Sequence, residues 1–183
     1  MRLAAPALAL LVVIAAGAPL CAQERGRPDT GRLRPGVAVG PAIEVAMPGN
    51  RAGERGVIVA PSLGVRVTSW FEYVVEGHVM RSLGPVGGTI AALQPLGWRL
   101  HTPGGTHPFV SMGAGLTYTD FTGLHGIDRR RNYVTHVGFG VRRFTRGGSA
   151  FWVETRLSHL SNLGTAGSNM GMEHVAVMAG FSR

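Results

Sequence analysis

The sequence predicts an all-β protein, an eight-stranded antiparallel transmembrane β-barrel of the bacterial outer membrane. Three observations point there. The chain opens on a secretory leader. Beyond it, apolar residues alternate with polar or small ones at period two through eight segments. The breaks between those segments alternate short and long, as the two ends of an outer-membrane barrel require.

Residues 1–22 read MRLAAPALALLVVIAAGAPLCA. Arg2 supplies the positive n-region, Leu3 to Ala16 an apolar h-region, and Leu20-Cys21-Ala22 a cleavage site before Gln23. The single cysteine lies inside this signal peptide, so no disulfide is expected beyond it. No later stretch reaches the ~20 apolar residues of a membrane helix, so any membrane crossing must use strands. Residues 23–35 (QERGRPDTGRLRP) are polar and carry proline, and are expected to form a flexible periplasmic lead-in. The barrel is expected over 36–183.

The first strand fits residues 36–47, with a less regular alternation. In the second, Val57, Val59, Leu63, Val65 and Val67 oppose Ile58, Ala60, Ser62, Gly64 and Arg66. In the third, Phe71, Tyr73, Val75 and Val79 oppose Glu72, Glu76 and His78. The fourth fits 89–101, again less regularly. In the fifth, Val110, Met112, Ala114, Leu116 and Tyr118 oppose Phe109, Ser111, Gly113, Gly115 and Thr117. In the sixth, Tyr133, Val137, Phe139 and Val141 oppose Asn132, His136, Gly138, Gly140 and Arg142. The seventh covers 149–162 and the eighth 173–183, with Phe151, Val153 and Leu157 opposing Trp152, Glu154, Arg156 and Ser158, and Val175 to Phe181 alternating with His174 to Gly180. One face is apolar; the other mixes charges with small residues. Small residues suit a narrow lumen in which polar groups pair while apolar groups meet lipid. Breaks at Ser69, 102–106 and 147–148 are short, and those at 48–56, 82–88, 121–131 and 163–172 are longer. A periplasmic N-terminus then sends odd strands outward and even strands back.

Composition agrees. Glycine contributes 28 of 183 residues, charged residues only 15%, and mean hydropathy is +0.15. The average soluble domain is ~25% charged. A disordered polyelectrolyte, a coiled coil and an ordinary cytosolic enzyme are excluded. The net charge is +8, and every one of the 18 basic residues is arginine. A GC-rich coding bias produces this composition, and so does a need for guanidinium forks that grip phosphate or carboxylate. Nucleic acid is not an expected partner, because the cations are scattered and no aromatic-and-basic stripe accompanies them.

The chemistry concentrates where strand seven meets strand eight, in RLSHLSNLGTAGSNMGMEH. His159 and Ser161 lie two apart on a strand, so they share a face. Glu173 has the same parity and opens the antiparallel neighbour, which a ten-residue loop returns alongside His159. A hydroxyl, an imidazole and a carboxylate together have the logic of a serine hydrolase triad. Asn162 and Gly164 could donate to an oxyanion. Taken singly, His159 would be an interfacial polar residue and Ser161 a turn residue. Polar groups on a lipid-facing stripe are costly, and three together point to function. His136, Ser158 and His174 face the lumen by parity.

HLSN at 159–162, then Asn169, Gly171 and Glu173, resembles the outer-membrane lipid A 3-O-deacylase (acyloxyacyl hydrolase) family. HPFVSMGAGLTY at 107–118 and HVGFGV at 136–141 extend the similarity. The resemblance implies an eight-stranded barrel with Ser161 as nucleophile, His159 as base and Glu173 as the orienting acid. It implies an oxyanion hole of Asn162 with Gly164, a site on the outside of the barrel, and no metal or cofactor. Leu163 stands where the family has a small residue, and Met170 where it has proline. The chain closes Phe181-Ser182-Arg183, without the terminal aromatic typical of such barrels.

The expected function is therefore a membrane-embedded serine esterase that releases the 3-hydroxyacyl chain from the 3-position of lipid A in lipopolysaccharide, acting at the outer leaflet. The alternatives are a non-catalytic barrel for anchoring or adhesion and, further off, a calcium-dependent outer-membrane phospholipase. Monomer and homodimer are both open. Arg129, Arg130 and Arg131 fall in the loop between strands five and six. They read as a solvated charged loop or as a grip on lipid A phosphates.

Overall fold

A computed structural model describes residues 30–45, 53–84, 87–102, 106–122, 129–145, 148–165 and 171–183. The expected leader, and all but the last residues of the expected lead-in, lie outside them. Eight strands run in chain order: β1 Leu33–Glu44, β2 Arg55–Arg66, β3 Phe71–Ser82, β4 Gly88–His101, β5 Thr106–Thr119, β6 Arg131–Phe144, β7 Ala150–Ser161 and β8 Met172–Ser182. Each pairs antiparallel with its neighbour, and β1 closes on β8 through pairs such as Val37 with Phe181 and Ile43 with Val175. Closure leaves no strand edge, and a bilayer demands that, because lipid cannot satisfy unpaired backbone groups.

β1 begins three residues before the expected start and ends at Glu44 instead of 47. The reason lies in the lumen. Arg34 points inward, is 4% exposed, donates from Nη1 to the Gly148 carbonyl at 3.0 Å and sits over the Phe144 ring at 5.2 Å. A charged residue beside Pro35 reads as lead-in until the charges inside the barrel are known.

β4 is irregular for a definite reason. Up to Gln94 its even residues face inward; from Gly97 onward the odd ones do. Leu93 pairs with Leu116 but Leu96 with Ala114, so Gln94 and Pro95 stand opposite Gly115 alone. This is a β-bulge, the place where a strand tolerates a proline lacking its N–H. The Tyr73 hydroxyl donates to the carbonyl of Pro95.

The outer wall is apolar: Leu96, Leu116, Phe139, Phe151, Val153 and Val177 are all largely exposed. A contiguous band of this kind belongs in lipid, since soluble monomers rarely expose such area. The inside is packed in layers. Nearest the short turns, Glu72 accepts from Arg142 and lies 3.0 Å from His101 Nε2, with Arg99 at 3.8 Å. At mid-height Arg156 bridges Glu76 and Glu154, and Ser111 donates to Glu154 at 2.7 Å. His136 and His78 flank Gln94. Above them sits an apolar layer that the alternation did not foretell, including Ile58, Met80, Ile90, Val134, Leu160 and Met172. The inward glycines make room for this filling. A Cβ on Gly138 would strike the Glu154 carboxylate and Ser111, and one on Gly180 would strike the Trp152 indole.

The connections 67–70, 102–105 and 145–149 lie at one end; 45–54, 83–87, 120–130 and 162–171 lie at the other. The expected short–long rhythm holds except at 83–87, which is no longer than 145–149.

Candidate active site

The site stands on the outer wall, at the end of the barrel that carries the long connections. β7 places His159 outward and ends at Ser161; β8 begins at Met172. The β7–β8 register pairs His159 directly with Glu173. Directly opposed residues carry side chains about 5 Å apart at Cβ, within reach of one another. His159 Nδ1 and Glu173 Oε1 are in fact 2.8 Å apart. A carboxylate only accepts, so Nδ1 is the donor in this contact, and in the neutral tautomer that makes this bond Nε2 is the acceptor. The imidazole is 45% exposed and the carboxylate 13%. The ring thus meets the surroundings while its partner is sheltered.

Gly171, immediately before β8, packs against the other edge of that ring. Its φ is +73°, and a Cβ there would lie 2.5 Å from His159 Cε1 and 3.2 Å from Nε2. Only glycine meets both the backbone conformation and the close approach.

Ser161 lies two residues beyond His159 and pairs with Tyr133 of β6. It is buried, at 4% exposure, and Ser161 Oγ makes no hydrogen bond to His159 among the described residues. Nucleophile–base distances are often loose before substrate binds. After Ser161 the chain turns sharply. Leu163 takes φ +52° and Gly164 +73°. The Gly164 N–H donates to Asn162 Oδ1 at 2.8 Å, and Thr165 donates from N and Oγ1 to the Asn162 carbonyl. Asn162 is 1% exposed. With Oδ1 held by Gly164, the Asn162 amide is oriented, and Nδ2 is its donating end. Gly164 N–H, expected as an oxyanion donor, is here engaged by Asn162. Asn169 and Met170 lie outside the described residues. His136, Ser158 and His174 are buried in the lumen, as parity requires.

Arg129, Arg130 and Arg131 are exposed at the start of β6, and Arg130 Nη1 donates to the Tyr118 hydroxyl at 3.4 Å. They line a cleft of about 1140 Å³ that also touches Leu93, Leu116, Tyr118, Tyr133 and Thr165. Leu93, Leu116, Tyr133 and Ser161 pair one after the next across β4, β5, β6 and β7, so the cleft runs along the wall toward the serine. Reading the sequence strand by strand missed this cleft. Its local signals were the arginine run at 129–131 and the outward Leu93 and Leu116, which look like any lipid-facing pair, and nothing in the alternation joined them into one cleft. Among the described residues, no three His, Cys, Asp or Glu side chains stand close enough to share a metal ion.

Residues 61–182 match the model of a family described as lipid A 3-O-deacylase (PagL). No curated protein matches the chain in sequence. Among solved structures, Neisserial surface protein A (NspA) superposes with a TM-score of 0.65 at 13% identity, covering 82% of this chain and 95% of that one. The outer membrane enzyme PagL superposes with a TM-score of 0.61 at 18% identity, covering 78% of this chain and 97% of that one. The N-terminal β-barrel domain of Pseudomonas aeruginosa OprF gives 0.51 at 16%, covering 82% and 97%. At these identities the likeness is one of fold.

Proposed function

Because this chain belongs to the lipid A 3-O-deacylase (PagL) family and is an outer-membrane β-barrel, we propose that it cleaves the ester-linked 3-hydroxyacyl chain from the 3-position of lipid A by a Ser161–His159–Glu173 mechanism at the outer leaflet. The observation that carries the reading is the His159–Glu173 hydrogen bond on a wall that is largely apolar. A structural ion pair gains little on a surface, and polar groups facing hydrocarbon are retained chiefly for function.

Glu173 holds the proton on Nδ1 and stabilises the imidazolium that forms during reaction. His159 Nε2 takes the proton of Ser161 as Oγ attacks the ester carbonyl. The carbonyl oxygen becomes an oxyanion, which Asn162 Nδ2 receives; Gly164 orients that amide and adds its own N–H if its bond to Oδ1 opens. As the tetrahedral intermediate collapses, the C–O bond to the sugar breaks and His159 returns the proton to the departing sugar oxygen. Water then attacks the acyl-serine and gives His159 a proton. That proton passes to Ser161 Oγ, and a 3-hydroxy fatty acid leaves. An outward site suits a substrate whose acyl chains already lie in the bilayer, and no metal or cofactor enters the sequence of steps.

The test is mass spectrometry of lipid A incubated with the purified barrel in detergent micelles. The wild type should release a 3-hydroxy fatty acid, with excess EDTA making no difference. Ser161→Ala should lower the rate by roughly three orders of magnitude or more, while still migrating as a folded barrel on unheated gels. An active Ser161→Ala protein would sink the mechanism. Activity lost in EDTA and restored by calcium would favour a phospholipase-type site, and an inert wild type a non-catalytic barrel.

A further inference from the structure

We propose that the cleft beside Ser161 is a binding site for the phosphorylated end of the substrate itself, an anionic glycolipid whose phosphate sits under Arg129, Arg130 and Arg131 while a retained acyl chain lies on Leu93 and Leu116. This deepens, and rests on, the esterase reading. Two features select the occupant. The strand residues of the wall, Leu93 and Leu116, are 57% and 63% exposed and apolar, so they take hydrocarbon. The upper part is cationic, and among the described residues no carboxylate lines the cleft and no ion pair neutralises the three arginines. A ligand filling both regions is an amphiphile with a dense negative head, and guanidinium forks match phosphate oxygens two at a time.

Position narrows the choice to the substrate over a bystander lipid. Tyr133 belongs to the cleft and is the direct register partner of Ser161. Glu173 stands on the opposite flank, beyond His159. The serine therefore has the cleft on one side and its supporting pair on the other. A glycolipid held by its phosphate in the cleft would present its neighbouring ester to Ser161. Fixing the sugar in this way lowers the entropy cost of bringing ester and hydroxyl together.

The experiment is equilibrium binding of fluorescent lipid A to Ser161→Ala protein in low-salt micelles. The lipid is used intact and after phosphatase treatment. Adding Arg129→Gln, Arg130→Gln and Arg131→Gln together should weaken binding of intact lipid A by about tenfold or more, the scale of lost charge-assisted hydrogen bonds. Dephosphorylated lipid should bind weakly and equally to both proteins. Equal loss for both lipids, or no loss, would overturn the proposal. So would phosphatidylglycerol competing as well as lipid A, since the site would then hold any anionic lipid. Binding is read without turnover, so failure of the esterase reading leaves this result separately legible.

Discussion

Gly171 limits where the His159 ring can stand. A methyl group at that position would overlap Cε1 at 2.5 Å, and the backbone there is left-handed. Gly171→Ala should therefore push the imidazole away from Ser161, lowering kcat by about tenfold to a hundredfold, the usual cost of a displacement near 1 Å. The barrel should persist on unheated gels; an unchanged kcat would show that the ring tolerates the shift. Glu173→Gln keeps the size of the partner but removes its charge. Activity should fall by roughly 10²–10³-fold, less than for Ser161→Ala, because proton transfer to an unsupported imidazole is slowed but not abolished. Rate measurements that placed the two variants at the same residual activity, both folded, would assign Glu173 a larger part than orientation.

At the scale of elements, the strands are held from inside as much as by their ladders. Arg156 of β7 is 2% exposed and meets Glu76 of β3 and Glu154 of its own strand. It thereby ties strands on opposite sides of the lumen. Arg156→Met would leave two carboxylates buried without their cation, a change that typically costs about 3–5 kcal/mol. The urea midpoint, followed by the gel shift between folded and unfolded barrel, should drop accordingly; a midpoint equal to wild type would mean that Arg99, 3.8 Å from Glu76, suffices. The bulge in β4 acts on a different scale. By inserting Pro95 it switches which residues of that strand face inward, delivering Arg99 and His101 to the ion-pair layer while Ile90 joins the apolar one.

Across the whole molecule, the lumen is filled and the His159–Glu173 pair stands on the wall. The ion-pair layers occupy the end with the short turns and the middle, and Ile58, Met80, Ile90, Val134, Leu160 and Met172 close the other end. Eight strands leave an interior only wide enough for such a filling. The purified protein reconstituted in planar bilayers should accordingly give no stepwise ionic conductance. Discrete, voltage-stable channels at the single-protein level would contradict the packed interior. With the proposed site on the wall of a filled barrel, substrate would reach it sideways, from the lipid.

The amino-acid sequence by itself determined the strand number, the inward and outward faces of most strands, and the adjacency of His159 with Glu173. All three follow from local rules: side chains alternate at every residue, and a hairpin connection of up to about ten residues returns the next strand antiparallel. Parity also put His136, Ser158 and His174 in the lumen, where they are found. Only the tertiary structure decided the start of β1 at Leu33, the reversal of parity in β4, the engagement of Gly164 with Asn162, the apolar layer within the lumen and the cleft over β4, β5 and β6. All but one depend on groups far apart in the chain; the Gly164–Asn162 bond spans two residues and depends on how the turn after β7 closes. Glu76 and Arg156 are 80 residues apart, and Arg34 and Gly148 are 114 apart. A period of two tells which face a side chain takes, but closure of the ring decides which others it meets there.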